Sequence, residues 1–209
     1  MDLNLWLAFV AASTALLLIP GPTVLLVLSY ALTKGRSVAV ASAAGVALGD
    51  LIAMTASLAG LGALVLASAT LFTALKWVGA VYLVWLGVKL WRSAPSSGLE
   101  TMSESNIRAR GVFGHAAAVT ALNPKSIAFF IAFVPQFLRP DAPLIPQFAI
   151  LISTFVGLAA LNALAYALLA DRLRGWIRKP AVVANLTRMG GVALIGMGIA
   201  TAALRRTSA

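Results

Sequence analysis

Two long stretches of this chain carry no charged residue: Leu3 to Thr33, and Ala142 to Ala170. Each exceeds the roughly 20 apolar residues that cross a bilayer as a helix. Backbone amides and carbonyls in hydrocarbon must pair within the segment, which a helix achieves. The composition agrees. Of 209 residues, 61% are apolar and 11% charged, against roughly 45–50% and about 25% in soluble domains. Mean hydropathy is +0.96. The pattern is that of an all-α integral membrane protein crossing the bilayer several times, and a soluble enzyme is excluded.

Charges and turn formers divide the chain into six predicted spans near 4–32, 38–66, 70–91, 112–138, 144–170 and 184–204. The first, second and fourth are long for a bilayer, which calls for tilt, a break or a re-entrant portion. One polar linker, about 93–110, contains Ser-Ala-Pro-Ser-Ser-Gly followed by Glu100, Glu104, Arg108 and Arg110. It separates two blocks of three helices. The expected organisation is one transmembrane domain over 1–209, with repeat one at about 4–92, a cytoplasmic connector at about 93–110 and repeat two at about 111–206.

The net charge of +10 would suggest nucleic acid in a soluble protein. Here the basic residues fall between apolar spans and act as topology determinants, so no nucleic-acid partner is expected. The odd-numbered loops hold eleven Lys and Arg: Lys34, Arg36, Lys89, Arg92, Arg108, Arg110, Arg172, Arg174, Arg178, Lys179 and Arg188. The opposite side holds four: Lys76, Arg139, Arg205 and Arg206. The positive-inside rule puts the odd loops in the cytoplasm and both termini outside, which is the periplasm if the membrane is a bacterial inner membrane. The opening Met-Asp-Leu-Asn lacks the basic region of a signal peptide, so the first span is read as retained. Trp6, Trp77, Trp85, Trp91 and Trp176 mostly fall near the interfaces, and Lys76, Lys89 and Arg188 are placed to snorkel.

There is no cysteine and a single histidine, His115. Disulfides, thiolate metal sites and thiol redox chemistry are therefore excluded, and no histidine-rich metal site can form. No cofactor and no metal are expected.

The third and sixth spans resemble each other. Val78-Gly79-Ala80-Val81-Tyr82-Leu83-Val84-Trp85-Leu86-Gly87-Val88 aligns with Met189-Gly190-Gly191-Val192-Ala193-Leu194-Ile195-Gly196-Met197-Gly198-Ile199. Gly79/Gly190, Val81/Val192, Leu83/Leu194 and Gly87/Gly198 are identical at constant offset. The glycines permit close helix packing. A duplicated unit of three spans must lie in two opposite orientations, the inverted-repeat plan of many secondary transporters. These glycine-rich spans also offer surfaces for a homo-oligomer.

Such folds place substrate near the midplane, where helices break. The first span contains Leu18-Ile19-Pro20-Gly21-Pro22-Thr23 about midway, and the fourth contains Leu122-Asn123-Pro124-Lys125-Ser126. Proline removes a backbone donor and clashes with the preceding turn, so a straight helix through either point is disfavoured. The freed backbone groups must face protein or a wet cavity.

Lys125 lies in the second break, with thirteen uncharged residues after it. An ammonium near the bilayer centre costs roughly 2.5–3.5 kcal/mol, so it must face a partner or water. Asp50, in Gly45-Val46-Ala47-Leu48-Gly49-Asp50, is its counterpart. The Gly45/Gly49 stripe admits a close neighbouring helix, and Ser57 follows on one face. Two readings stand open. Asp50 and Lys125 neutralise each other and hold the blocks in register, or Lys125 meets an anionic substrate group and Asp50 an ammonium or a proton. Asn162 and Tyr166, one turn apart in the fifth span, offer hydrogen-bonding groups either to the cavity or, as the favoured role, to a neighbouring helix. His115 is assigned no chemistry.

Several of these elements together resemble the LysE/RhtB family of amino-acid exporters. They are Pro20-Gly21-Pro22, Gly35-Arg36, Gly45/Gly49-Asp50, the Gly79–Gly87 stretch, Asn123-Pro124-Lys125 and Phe133-Val134-Pro135-Gln136-Phe137. The resemblance covers almost the whole chain in order and spacing. It implies a multi-pass protein of the bacterial inner membrane that exports amino acids, with coupling to the proton motive force. Carried over by motif, Pro20, Gly21, Pro22, Asn123, Pro124 and Lys125 are the site candidates, joined by Asp50 at a looser part of the pattern and by Asn162.

The expected function is efflux of a neutral amino acid of homoserine, threonine or leucine type, or a close derivative. A basic amino acid or another small metabolite is the alternative substrate. One histidine, no cysteine and few buried carboxylates disfavour a transition-metal transporter, and the absent cysteines exclude a thiol–disulfide conduit. No Ser/His, paired-carboxylate or metal-ligand constellation supports an intramembrane enzyme.

Overall fold

The computed structural model describes residues 1–19, 21–34, 36–92, 109–139, 142–177 and 179–203. Among them every regular element is helical: α1 (Leu3–Leu18), α2 (Pro22–Lys34), α3 (Arg36–Ala67), α4 (Ala69–Arg92), α5 (Ala109–Ala121), α6 (Pro124–Ala132), a 3-10 turn (Val134–Phe137), α7 (Leu144–Ile177) and α8 (Pro180–Ala203). Four single helices contain bilayer-length apolar spans: Val38–Leu64, Thr73–Arg92, Leu144–Ala170 and Pro180–Ala203. Two bent helix pairs, Leu3–Leu18 with Pro22–Leu32 at 56° and Gly111–Ala121 with Pro124–Phe137 at 44°, are apolar and long enough when each pair is taken together, as a broken span or a re-entrant loop. The described residues thus hold four spans, or six with each bent pair counted as one. The chain is a multi-pass membrane protein.

Both breaks fall where the prolines put them. Asn123 ends the fourth span's first half and caps its second, its side-chain oxygen accepting from the Lys125 N–H at 3.0 Å while Pro124 opens α6. Asparagine at the cap and proline at the first helical position are the preferred pair for starting a helix. Pro20 and the expected linker as far as Arg108 lie outside the described residues, and α5 already begins at Ala109. Beyond its apolar span, α7 continues past the predicted end at 170 to Ile177. Pro180 disfavours helical backbone at the residue before it, and α8 starts afresh there.

Packing follows the small residues. A Cβ on Gly45 would collide with the Phe113 carbonyl oxygen, and one on Gly49 would stand 2.5 Å from that of Ala117. The predicted stripe therefore does admit a close helix, and that helix is α5. Between α4 and α8 the contacts are reciprocal. A Cβ on Gly87 would meet Gly191 O at 2.6 Å and Ile195 Cγ1 at 2.7 Å, and one on Gly198 would meet Ala80 O at 2.8 Å and Val84 Cγ2 at 2.7 Å. The offset that matches Gly87 to Gly198 also matches Ala80 to Gly191 and Val84 to Ile195. The other aligned glycines face the breaks: Gly79 abuts Ala132 of α6, and Gly190 abuts Ile19.

Two apolar clusters fill the interior. One is rich in aromatics: Phe130 and Phe155 stack edge to face at 4.8 Å, and Phe9 meets Phe137 at 5.3 Å. The other is built mainly of smaller side chains, including Ala39, Ala43, Val46, Ala116, Ala163 and Ala167. Helices gain no hydrophobic driving force against one another inside lipid, so close packing and aromatic geometry supply the cohesion.

Candidate functional site

The last four carbonyls of any helix have no partner within it. At the end of α1 these belong to Leu16, Leu17, Leu18 and the C-cap residue Ile19. In a continuous helix the donors to Leu16 and Leu18 would come from residues 20 and 22, and both are prolines with no N–H. Side chains from the second half of the sequence supply the missing donors. Lys125 Nζ donates to Leu16 O and to Ile19 O, both at 3.1 Å. Asn162 Nδ2 donates to Leu17 O at 3.1 Å, and the Tyr166 hydroxyl to Leu18 O at 3.3 Å. The Ile19 N–H also turns back to Leu16 O at 3.3 Å.

The electrostatics suit a cation. A helix C-terminus carries roughly half a negative elementary charge, and the Lys125 ammonium lies against it. Gly21 leaves the room, since a Cβ there would stand 3.3 Å from Lys125 Nζ. The two breaks also touch each other. Asn123 Nδ2 donates to Thr23 Oγ1 at 3.1 Å, and the Thr120 hydroxyl donates to the same oxygen at 3.4 Å.

Asp50 faces the same space without pairing with Lys125. Its side chain is 2% exposed and Oδ1 has no hydrogen-bond partner. No oxygen of Asp50 comes within 4.0 Å of the Lys125 ammonium. The reading in which the two residues neutralise each other directly does not hold in this conformation, because the α1 carbonyls take the ammonium.

A small cavity of about 30 Å³ joins these groups, lined by Gly21, Thr23, Asp50, Asn123, Lys125, Ser126 and Asn162 among apolar neighbours. That volume holds water but no amino acid. The structure thus brings together Gly21, Asp50, Asn123, Lys125 and Asn162 of the sequence-predicted set. Pro22 and Pro124 open the helices beside the cavity without lining it, and Pro20 lies outside the described residues. Ser57 is half-buried and away from this lining, and His115 Nδ1 pairs instead with the Tyr30 hydroxyl at 2.7 Å.

Sequence reasoning missed Thr23, Thr120 and Ser126, whose hydroxyls look ordinary in an apolar helix. It also missed the α1 carbonyls as a group. Counting four residues back from each proline would have found two of them. The cavity presents one carboxylate, and among the described residues no three His, Cys, Asp or Glu side chains gather to hold a metal.

Comparison with known proteins gives the chain as a whole a family. Residues 14–204 match the family model described as LysE type translocator. A homoserine/homoserine lactone efflux protein of Salmonella typhimurium is 36% identical over 205 residues, 98% of this chain and 99% of the relative. An uncharacterized membrane protein of Vibrio cholerae is 34% identical over 200 residues, covering 95% of this chain and 97% of the relative. A leucine efflux protein of Salmonella typhimurium is 31% identical over 141 residues, 68% of this chain and 66% of the relative. No solved structure matches. With the family model spanning nearly the whole chain, this protein belongs to the LysE type translocator family.

Proposed function

We propose that this translocator exports a small neutral amino acid, or a close derivative, from the bacterial cytoplasm across the inner membrane. The observation that carries the reading is that a buried, unpartnered Asp50 oxygen and the Lys125 side chain line one small cavity at the helix breaks. One acid and one base suit a zwitterion: the substrate ammonium goes to Asp50, its carboxylate to Lys125 and the start of α6. A second cation on the substrate would meet Lys125 unfavourably, which disfavours a basic amino acid. The full-length relatives named for homoserine and its lactone support the small polar substrate, and the shorter match to leucine efflux proteins supports the wider neutral class.

The reading includes an occluded state. With room for water alone, the cavity must widen on one side at a time for substrate to pass. Both apolar clusters contribute to its lining, Leu16 and Ala159 from the aromatic one and Val24, Val46 and Ala163 from the smaller-residue one. The reciprocal α4–α8 contacts support two inverted three-helix repeats, since a two-fold axis makes each position touch its counterpart's partner. Asp50 is the proposed proton carrier when substrate is absent, coupling export to the proton motive force. The distribution of Lys and Arg supports periplasmic termini and a cytoplasmic 93–110 linker.

The test is amino-acid excretion from cells that overproduce the protein and are fed mixed dipeptides, measured by mass spectrometry of the medium. Selective release of a neutral amino acid, lost on adding an uncoupler, is the expected result. Release equal to that of an empty vector would overturn the reading. Because the chain lacks cysteine, a single cysteine placed in the linker and probed with an impermeant maleimide reports the orientation directly.

A further inference from the structure

A second concavity lies far from the central cavity in character. Close approach at Gly87 and Gly191 leaves a groove of about 370 Å³ between α4 and α8, lined by Val88, Trp91, Arg92, Val192 and Ile195. Its size falls in the range of small-ligand pockets, roughly 300–1,000 Å³. Four of the five lining residues are apolar. Val192 and Trp91 are about half exposed, so the groove opens outward. It lies within the spans Thr73–Arg92 and Pro180–Ala203, so what reaches it is lipid or another membrane helix.

Charge decides between those two. Arg92 stands at the end of α4, and Arg188 lies one helical turn before Val192 on the same face of α8. Both are exposed. Gly191 abuts Trp91, so the two arginines stand at about the same membrane level. Lys89 lies nearby, turned back over the Trp85 ring at 5.0 Å. A second copy docked symmetrically through this groove would bring a matching pair of arginines against this one, a like-charge arrangement that costs affinity. An anionic headgroup is complementary, and basic pockets between transmembrane helices on the cytoplasmic side are the kind that hold one.

We propose that this groove binds one anionic phospholipid, an acyl chain lying against Val88, Trp91, Val192 and Ile195 and the phosphate held between Arg92 and Arg188. The lipid bridges the third span of one half to that of the other, and it seals the α4–α8 contact on its outer side.

Native mass spectrometry of the full chain, stripped of lipid in mild detergent and titrated with phosphatidylglycerol or phosphatidylcholine of equal chain length, tests this. One phosphatidylglycerol per chain is expected to bind in preference to phosphatidylcholine. The double variant Arg92→Gln/Arg188→Gln is expected to lower phosphatidylglycerol affinity about thirtyfold and leave phosphatidylcholine unchanged. Val192→Trp, which fills the groove and keeps both arginines, should also weaken phosphatidylglycerol binding. Equal binding of the two lipids, an undiminished preference in the double variant, or no effect of Val192→Trp would each overturn the proposal. So would a dimer whose formation shields the groove from lipid.

Discussion

Lys125 donates from Nζ to the carbonyl oxygen of Leu16 at 3.1 Å, across 109 residues of sequence. The contact joins the two proline breaks of the chain. A cation from the second half neutralises the carbonyl end of a half-helix in the first, which leaves Asp50 in the same cavity without its expected partner. The half-buried base is thus held by the fold itself, while the buried acid has an oxygen with no hydrogen-bond partner.

Replacing Lys125 should affect both stability and transport. Lys125→Ala leaves the carbonyls of Leu16 and Ile19 without that donor, at a cost of about 1–3 kcal/mol. Excretion should fall at least tenfold, about 1.4 kcal/mol or more in the rate-limiting barrier. Thermal unfolding in detergent beside the excretion assay checks the two effects together, and normal export would remove Lys125 from the site.

Asp50→Asn preserves shape and removes only the charge. Since Oδ1 has no hydrogen-bond partner to lose, the folded protein should keep its melting temperature within a few degrees. Export should nevertheless drop at least tenfold, because a carboxamide neither pairs with an ammonium nor takes up the proton. Counterflow in vesicles, compared with the parent chain at equal protein, reads this out. Unchanged counterflow would make Asp50 a structural residue.

The glycines divide into those that set helix contacts and those that do not. Gly49→Ala forces α3 away from α5, since its Cβ would stand 2.5 Å from a backbone oxygen. Such overpacking costs about 1–3 kcal/mol. Gly60→Ala, with nothing within 4 Å of the added carbon, should be neutral or slightly stabilising through helix propensity, by up to about 1 kcal/mol. Equal melting temperatures for the two variants would contradict the packing described here.

Tyr166→Phe removes one hydrogen bond, to Leu18 O. Interhelical hydrogen bonds in membranes average about 0.6 kcal/mol, so the loss of stability should stay under about 1 kcal/mol. Asn162→Ala should cost more in transport, because Asn162 lines the cavity and Tyr166 does not. Excretion rates of the two single variants and the double variant separate these contributions. Tyr166→Phe proving the more damaging to export would reverse their assigned roles.

What the sequence determined by itself was the all-helical, membrane-spanning class, the helix breaks and the small-residue seams. Uncharged length, proline without an N–H and glycine without a Cβ act locally, so they can be read along the chain. The Pro20-Gly21-Pro22 and Asn123-Pro124-Lys125 breaks, the Gly45/Gly49 seam and the matched glycines of α4 and α8 belong here. The residues of the candidate cavity were legible as types, since a buried Lys and a buried Asp are costly enough to stand out. Their partners were not. That Lys125, Asn162 and Tyr166 converge on consecutive carbonyls of α1, that Thr23 bridges the two breaks, and that Asp50 is left unpaired depend on how separate helices stack in three dimensions. An orphaned carbonyl carries no side-chain signature, and its donor can come from any helix that reaches it. Only the tertiary packing decided which one did.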